Sequence, residues 1–352
     1  MLFFLLLHTF LVEFRNFLYP IFFGILFAYL LYPIAKVFDK LSVPRIPGIL
    51  LTVLVGIVIV YGSILFIYSQ LRFLLKDLPA LENQAVKNID AFFTQVESQF
   101  GTVSEAQQSN LKKSVSHLFQ TSTDNLDFLL TATVQTVFTV FIMPVYVFFL
   151  LYYRNKYRTF ILMILPEKGH EKTDQIIREI SIVMKKYMGG VFIVVLILCF
   201  LNSLGLYIIG VKYWLLLGLI AAIFNFIPYF GTIIGFSFPL AMALLTGNGP
   251  GTAVGVLILF IIIQFTENNI LTPNITGGQV RVNPFFIILG VLIGGIVWGI
   301  PGMFIVVPIL ATIRIICEKI ESLKPWAFLI GNSGTEKYEL TTNKLRKFFM
   351  KR

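Results

Sequence analysis

One acidic residue, Glu267, stands beside a long apolar run. It lies near the start of a polar stretch, residues 264–284, which reads QFTENNILTPNITGGQVRVNP and separates two apolar segments. Holding a carboxylate beside hydrocarbon is unfavourable unless the group faces water, a partner or a moving ion. Glu267 is therefore our first candidate for a group that binds or couples an ion.

Amide side chains lie next to Glu267 in the sequence. Gln264, Asn268 and Asn269 each carry a carbonyl oxygen, and such oxygens suit a hard cation better than sulfur or imidazole does. Together with the carboxylate, they could bind a hydrated alkali cation. We predict that these four residues take part in transport or coupling.

A second interpretation of Glu267 involves the basic residues that follow it. Arg281 and Arg314 could each form an ion pair with the carboxylate. Such a pair would be structural, or it would be part of a gate. The sequence leaves this alternative open.

Two further segments, residues 213–246 and 284–317, are apolar but too long for one membrane helix. Each is interrupted near its middle, which leaves halves of about 15 residues, or about 22 Å of helix, against about 30 Å of hydrocarbon. The pattern predicts two broken helical hairpins that either dip into the membrane or span it. Their marker residues are Asn225, Pro228, Gly231 and Pro239 in the first segment and Pro301, Gly302 and Pro308 in the second.

Broken helices offer a function that apolar side chains cannot. Unwound backbone and half-helix ends present polar groups inside the bilayer, and paired interruptions point to a substrate path. The alternative is that Pro and Gly only kink or pack these helices. We predict that both broken hairpins line a path.

Other chemistries lack their characteristic residues. No G-x-x-x-x-G-K-[ST] loop is present to bind the phosphates of ATP. The two cysteines and three histidines are widely spaced, which predicts neither a metal site nor a disulfide framework. We find no nucleophile with a base partner and no cofactor loop, so we expect neither an enzyme nor a cofactor.

The composition is that of a membrane protein. The 352 residues are 57% hydrophobic and 13% charged, and the mean hydropathy is +0.84. Because the long apolar runs do not alternate, the spanning parts should be helical. The fold class is therefore all-α and polytopic. The net charge of +10 comes from loops rather than from one basic stripe, so we expect no nucleic-acid partner.

Charge also predicts the topology. Basic residues outnumber acidic ones in 36–45, 154–186 and 318–352, which places these regions and both termini in the cytoplasm. Residues 71–130, where acidic residues outnumber basic ones, are predicted to lie outside the cell. The predicted organisation is N-terminal membrane helices at 1–70, an external helical insert at 71–130, a membrane core at 131–317 with an amphipathic cytoplasmic helix at 170–189, and a basic cytoplasmic tail at 318–352.

The external insert carries a seam of apolar residues in alternating steps of three and four. This spacing is typical of a helix that packs against another helix. Packing within the insert and contact between copies of the chain are equally good interpretations. The seam comprises Leu71, Leu75, Leu78, Ala85, Ile89, Phe92 and Val96.

Three motifs resemble the autoinducer-2 exporter family of bacterial and archaeal multi-pass membrane proteins. They are GVKYWLLLGLIAAIFNFIPYFGTIIG, FTENNILTPNITGGQVRVNP and GVLIGGIVWGIPGMFIVVPILA. The likeness covers most of the chain. Two positions depart from the family pattern: Gly189-Gly190 stands where Gly-Gln is frequent, and Asn283-Pro284 where His-Pro is frequent.

The resemblance implies transport without ATP hydrolysis by a homo-oligomer in the plasma membrane. Within the family, some members resemble sodium or lithium ion/proton antiporters and others resemble exporters of a small polar signal, autoinducer-2. We expect cation/proton antiport, with export of a small polar solute as the alternative. A non-transporting membrane scaffold is the alternative from another class.

Overall fold

A computed structural model describes residues 2–100, 105–130, 134–247, 250–276 and 280–332. These residues form helices, apart from the short connections and an isolated antiparallel bridge between Val282 and Gly331. The all-α prediction is confirmed. Residues 333–352, which hold most of the predicted basic tail, lie outside the described part of the chain.

Fourteen α-helices occur in the described ranges, with 3₁₀ turns at Glu167–Gly169 and Glu321–Leu323 and a π-helical turn at Glu267–Leu271. The α-helices are α1 (Leu2–Glu13), α2 (Arg15–Lys40), α3 (Arg45–Phe100), α4 (Glu105–Leu130), α5 (Val134–Tyr152), α6 (Arg154–Ile164), α7 (His170–Ile209), α8 (Trp214–Phe224), α9 (Phe230–Thr246), α10 (Pro250–Thr266), α11 (Thr272–Ile275), α12 (Pro284–Trp298), α13 (Ile300–Lys319) and α14 (Lys324–Ile330).

Among the described residues, five helical segments are long and apolar enough to cross a membrane. Shorter apolar helices accompany them, including α8, α9 and α12. The chain is therefore a multi-pass membrane protein. The five long segments are Arg15–Lys40, Arg45–Thr94, His170–Ile209, Gly251–Ile275 and Ile300–Lys319.

Two helices run through boundaries that the sequence suggested. Helix α3 has 56 residues, or about 84 Å at 1.5 Å per residue, and it passes residue 70 without a break. Helix α7 has 40 residues and contains both the predicted amphipathic stretch at 170–189 and the apolar run after it. Which parts lie outside or inside the cell remains a prediction.

The helices divide into two compact units. The first contains Met1–Arg15, Asn155–Met184 and Gly278–Arg352, and the second contains Asn16–Arg154 and Lys185–Gly277. Glu267 and the first interrupted segment belong to the second unit. The second interrupted segment belongs to the first unit.

An apolar core joins the end of α7 to α8, α9 and α10 in the second unit. Burial of these apolar side chains and their van der Waals contacts stabilise the packing of the short helices. The buried members are Leu206, Val211, Leu217, Ala221, Ala243, Ala253, Val256 and Phe260.

Helix α3 packs against α4 through part of the predicted seam. Ala85 and Ile89 are buried with Val115 of α4, whereas Phe92 is exposed. The same cluster includes Leu245 of α9. Part of the stretch that we predicted as an external insert is thus packed against one end of α9.

Two amide side chains of α3 bind the carboxyl end of α9. The Gln84 amide donates to the carbonyl of Thr246 at 2.9 Å, and the Asn88 amide donates to the carbonyls of Leu245 and Gly247 at 2.9 and 3.1 Å. The last carbonyls of a helix lack partners within it. Helix α3 therefore supplies part of the C-terminal cap of α9.

In the first unit, α12 and α13 pack closely across the break at residue 299. Gly299 has a φ of 63° and a ψ of −145°, a region in which a side chain is strained. Gly294 and Gly302 lie in contact. The Trp298 indole donates to the carbonyl of Leu11 in α1 at 2.9 Å. The break therefore lies directly before the predicted marker residues Pro301 and Gly302.

Candidate functional site

Glu267 begins the π-helical turn that follows α10. A π turn widens the helix by one residue, and such turns occur often at functional sites. Glu267 is only 9% exposed, so its carboxylate is held inside the second unit. The sequence marked this residue by its charge, but the local widening of the helix is visible only in the structure.

Asn225 is the hydrogen-bond partner of Glu267. Its side-chain amide donates to Glu267 Oε1 at 2.6 Å. Thr232 in turn donates from its hydroxyl to Asn225 Oδ1 at 3.3 Å. This chain of bonds orients the amide so that its N–H faces the carboxylate, which offsets part of the cost of burying the charge.

The break between α8 and α9 places Asn225 there. Helix α8 ends at Phe224, and the backbone N–H of Phe230 then bonds the carbonyl of Pro228 at 2.7 Å. Tyr229, between them, has a φ of 65° and a ψ of −48°, the geometry of a γ-turn that is rare for a non-glycine residue. Strained backbone of this kind persists where the surroundings hold it in place, and it often marks a functional site.

Gly231 lets α9 return close to α8. A Cβ at position 231 would collide with the carbonyl oxygen of Phe224, so only glycine permits this approach without movement. The short distance between the two helices brings Thr232 within reach of Asn225. The interruption in the sequence is therefore what assembles the polar group.

A small cavity of about 10 Å³ lies at this polar group. That is about the room that one water molecule needs. Its wall combines polar side chains with apolar ones from α7, α8, α9 and α10. The lining residues are Leu198, Asn202, Ala221, Asn225, Thr232, Phe260, Ile263, Gln264 and Glu267.

Asn202 brings an unused acceptor to the same wall. The residue is 3% exposed, and its Oδ1 has no hydrogen-bond partner among the residues that the structure describes. A buried polar atom without a partner costs about 1–3 kcal/mol. A free acceptor on a residue that lines the same cavity as a carboxylate suits a bound cation or water.

The predicted residues around Glu267 take different positions. Gln264 lines the cavity. Asn268 and Asn269 are exposed, and the Asn269 amide donates to the carbonyl of Phe265 at 2.8 Å. The structure thus brings Gln264 and Asn225 to Glu267 but places Asn268 and Asn269 beside the cavity wall rather than in it.

The other markers of the first break are structural neighbours of the cavity. Pro228 is half-buried within the break. Pro239 is buried inside α9, where its ring removes one backbone donor. Neither residue lines the cavity around Glu267.

The remaining predicted residues belong to the first unit. Pro301 lies in the first turn of α13, Gly302 is buried against α12, and Pro308 is buried inside α13. Arg281 is exposed. Arg314 donates to Glu318 at 2.9 Å, one helical turn away. A pairing of Glu267 with either arginine remains a prediction.

Two polar residues of the cavity wall, Asn202 and Thr232, were not among our predicted site residues. Each is a neutral polar residue within an apolar run. The signal that could have found Thr232 is its position one residue after Gly231, at the start of the returning helix. For Asn202 the sequence carries no comparable signal.

These observations define a class of protein: a polytopic helical membrane protein with a buried carboxylate and a broken helix pair at one polar cavity. The sequence profile of the AI-2E family transporters matches residues 1–322. The chain therefore belongs to this family, as the sequence motifs indicated.

Similar proteins come from several bacteria. YueF of Bacillus subtilis is 25% identical over 315 residues, which is 85% of this chain and 84% of YueF. MT0215 of Mycobacterium tuberculosis is 24% identical over 311 residues, 85% of this chain and 82% of its own length. YrrI of Bacillus subtilis is 31% identical over 186 residues, and there the match spans about half of each protein, 52%. All three carry the name "Putative transport protein".

Proposed function

We propose that this chain is a secondary transporter that exchanges a monovalent cation, sodium or lithium, for protons. The observation that carries the proposal is the buried Glu267 carboxylate, hydrogen-bonded to Asn225 at 2.6 Å and facing a cavity of about 10 Å³. A space of this size suits a small ion rather than an organic solute. Family membership supports transport, and the choice of solute is our inference.

Exchange follows from competition at one carboxylate. A cation binds the ionised form of Glu267, with oxygens from Asn202, Gln264 and Thr232 completing its ligand shell. A proton on the same carboxylate removes its charge and releases the cation. Glu267 cannot bind the cation and the proton at the same time. A cation released on one side of the membrane is therefore replaced by a proton, and the movements of the two ions are coupled.

The break between α8 and α9 gives this site a means of changing access. The strained turn at Tyr229 connects two short helices whose contact depends on Gly231. Asn225 and Thr232 each lie within a few residues of Tyr229. A small rotation at this turn would therefore move both side chains relative to Glu267. Broken helices form the ion and substrate sites of other secondary transporters.

The test is cation-induced proton movement in everted membrane vesicles from a host that lacks its own antiporters. The wild type should dissipate an imposed pH gradient when sodium or lithium is added. Glu267→Gln should abolish the response while expression and oligomer size stay unchanged. Glu97→Gln, an exposed glutamate on α3, is the matched control and should behave as the wild type.

Two results would contradict the proposal. No cation response from well-inserted wild-type protein would exclude cation/proton antiport and direct the search to small polar organic solutes. A Glu267→Gln variant that loses its folded oligomer would instead assign Glu267 a structural role. A scaffold, by comparison, should tolerate both Glu267→Gln and Pro228→Ala but fail when residues 71–120 are deleted.

A further inference from the structure

A second group of charged residues gathers where α2 and α5 approach their ends and α3 begins, together with the start of α6 and a lysine of α7. The Arg45 guanidinium donates to the carbonyl of Tyr152 at 2.6 Å and lies 5.7 Å from the centre of its ring. Lys185 Nζ lies 3.5 Å from the centre of the Tyr32 ring, and the guanidinium of Arg154 lies 5.3 Å from the same ring. We call these five residues the basic cluster.

The basic cluster carries more positive charge than its neighbours balance. Arg154 is paired with Asp39 at 3.1 Å. Within the described ranges, neither Arg45 nor Lys185 has a carboxylate within 4 Å. Cations over aromatic faces are held in place and partly shielded from water. The cluster therefore presents two positive charges that have no counter-ion among the residues that the structure describes.

An apolar groove of about 360 Å³ lies between α2, α3 and α5. Its wall consists of hydrocarbon side chains, aromatic rings and a thioether, with the Tyr61 hydroxyl as the polar side-chain group among them. Its lining residues are Phe27, Leu31, Val53, Gly56, Ile57, Val60, Tyr61, Phe141, Met143, Pro144, Val145 and Val147.

One packed core connects the groove to the basic cluster. Leu31, which lines the groove, directly precedes Tyr32 of the cluster in α2. Leu31, Val53 and Val147 of the groove belong to the same buried core as Tyr32 and Tyr152. Val53 follows Arg45 by eight residues, which is about 12 Å along α3. The groove thus starts within about two helical turns of the charges.

We propose that the groove and the basic cluster together bind one anionic phospholipid. Its phosphate would lie against Arg45 and Lys185, and an acyl chain would occupy the groove. A soluble anion would use the charges but leave the groove unfilled. A zwitterionic lipid would fill the groove but bring its own positive charge towards the two cations. Only an anionic lipid matches both parts.

The test uses the purified full-length protein in detergent, mixed with equal amounts of phosphatidylglycerol and phosphatidylcholine of the same chain length. Native mass spectrometry then counts the lipids that stay bound. The wild type should retain phosphatidylglycerol about tenfold better than phosphatidylcholine. Arg45→Gln/Lys185→Gln should lose this preference.

A matched control tests whether the loss of two positive charges alone changes lipid binding. Lys36→Gln/Lys40→Gln removes the same charge from exposed positions at the same end of α2 and should retain the wild-type preference. Val60→Trp fills the groove from a position that is 37% exposed. This variant should bind less of both lipids, because the acyl chain has lost its place.

Three results would overturn the proposal. One is an Arg45→Gln/Lys185→Gln variant that remains folded, by its elution volume and thermal melting, and retains the phosphatidylglycerol preference. A second is an equal loss in the Lys36→Gln/Lys40→Gln control. The third is competition by soluble glycerol phosphate as effective as that by phosphatidylglycerol, since the ligand would then be a free anion.

Discussion

The hydroxyl of Tyr213 donates a 2.5 Å hydrogen bond to Asp77 Oδ2. Tyr213 precedes α8 with a left-handed backbone, at a φ of 59°, and Asp77 lies on α3. Lys212 Nζ binds the same carboxylate oxygen at 3.0 Å. One carboxylate of the long helix α3 therefore fixes the start of α8, the helix whose other end places Asn225.

Removing that hydroxyl should loosen α8 without changing the cavity. We expect Tyr213→Phe to lower the Tm of the purified protein by about 2 °C, because Asp77 keeps only Lys212. Differential scanning fluorimetry measures the change. Tyr207→Phe is the control, because the residue is exposed and its hydroxyl has no hydrogen-bond partner among the described residues. An equal shift in both variants would contradict a specific link through Asp77.

The structure gives Glu267 a hydrogen-bond partner, Asn225, that is distant in the sequence. We expect Asn225→Ala to reduce cation-induced proton movement at least tenfold and to cost about 1–3 kcal/mol of unfolding free energy, because the buried carboxylate loses its donor.

Asn269→Ala is the matched comparison for that variant. Asn269 is exposed, and among the described residues its amide bonds only the preceding helical turn. Transport should therefore stay within a factor of two of the wild type and stability within about 0.5 kcal/mol. The same vesicle assay measures both. If Asn269→Ala is the more damaging change, the cavity is not the cation site.

Replacing Asn202 should weaken transport without lowering stability. We expect Asn202→Leu to leave the unfolding free energy unchanged or to raise it by about 1 kcal/mol, because an unpaired buried acceptor is removed. The apparent KM for lithium should rise about tenfold, because one ligand oxygen is lost. A destabilised variant with an unchanged KM would make Asn202 a helix-packing residue.

Gly231 should tolerate no side chain. We expect Gly231→Ala to cost about 1–3 kcal/mol, because the new Cβ meets the Phe224 carbonyl oxygen and forces α8 and α9 apart. Gly62→Ala in α3 is the control, since nothing lies within 4 Å of its Cβ position, and it should stabilise the protein by about 0.4–1 kcal/mol. Chemical unfolding measures both, and equal effects would contradict the close approach at Gly231.

The membrane class and the helix breaks could be predicted because they depend on local composition. Hydropathy alone marks an all-α membrane protein, and the helix ends at Phe224 and Trp298 lie where Pro228 and Gly299 interrupt the apolar runs. The continuous helix through residue 70 was not predicted. The sequence changes from apolar to polar there, but nothing in that change stops a helix.

The cavity was only half predictable for a physical reason. Glu267 can be identified from the sequence by its charge. The polar residues Asn202, Asn225 and Thr232, which line the same cavity, lie more than 30 residues away in the chain. Asn268 and Asn269 are adjacent to Glu267 in the sequence, but consecutive residues of a helix point in different directions. Only the folded break brings Asn225 to the carboxylate.

The π-helical turn at Glu267–Leu271 makes the number of residues in this stretch as informative as their identity. Such a turn holds one residue more than α-helical geometry needs. A single-residue deletion within it could be absorbed by a return to regular helix. The same deletion inside α10 would rotate all that follows by about 100°, and Glu267 would turn away from Asn225. Among relatives, gaps in alignment should therefore be tolerated at this turn and selected against one turn earlier.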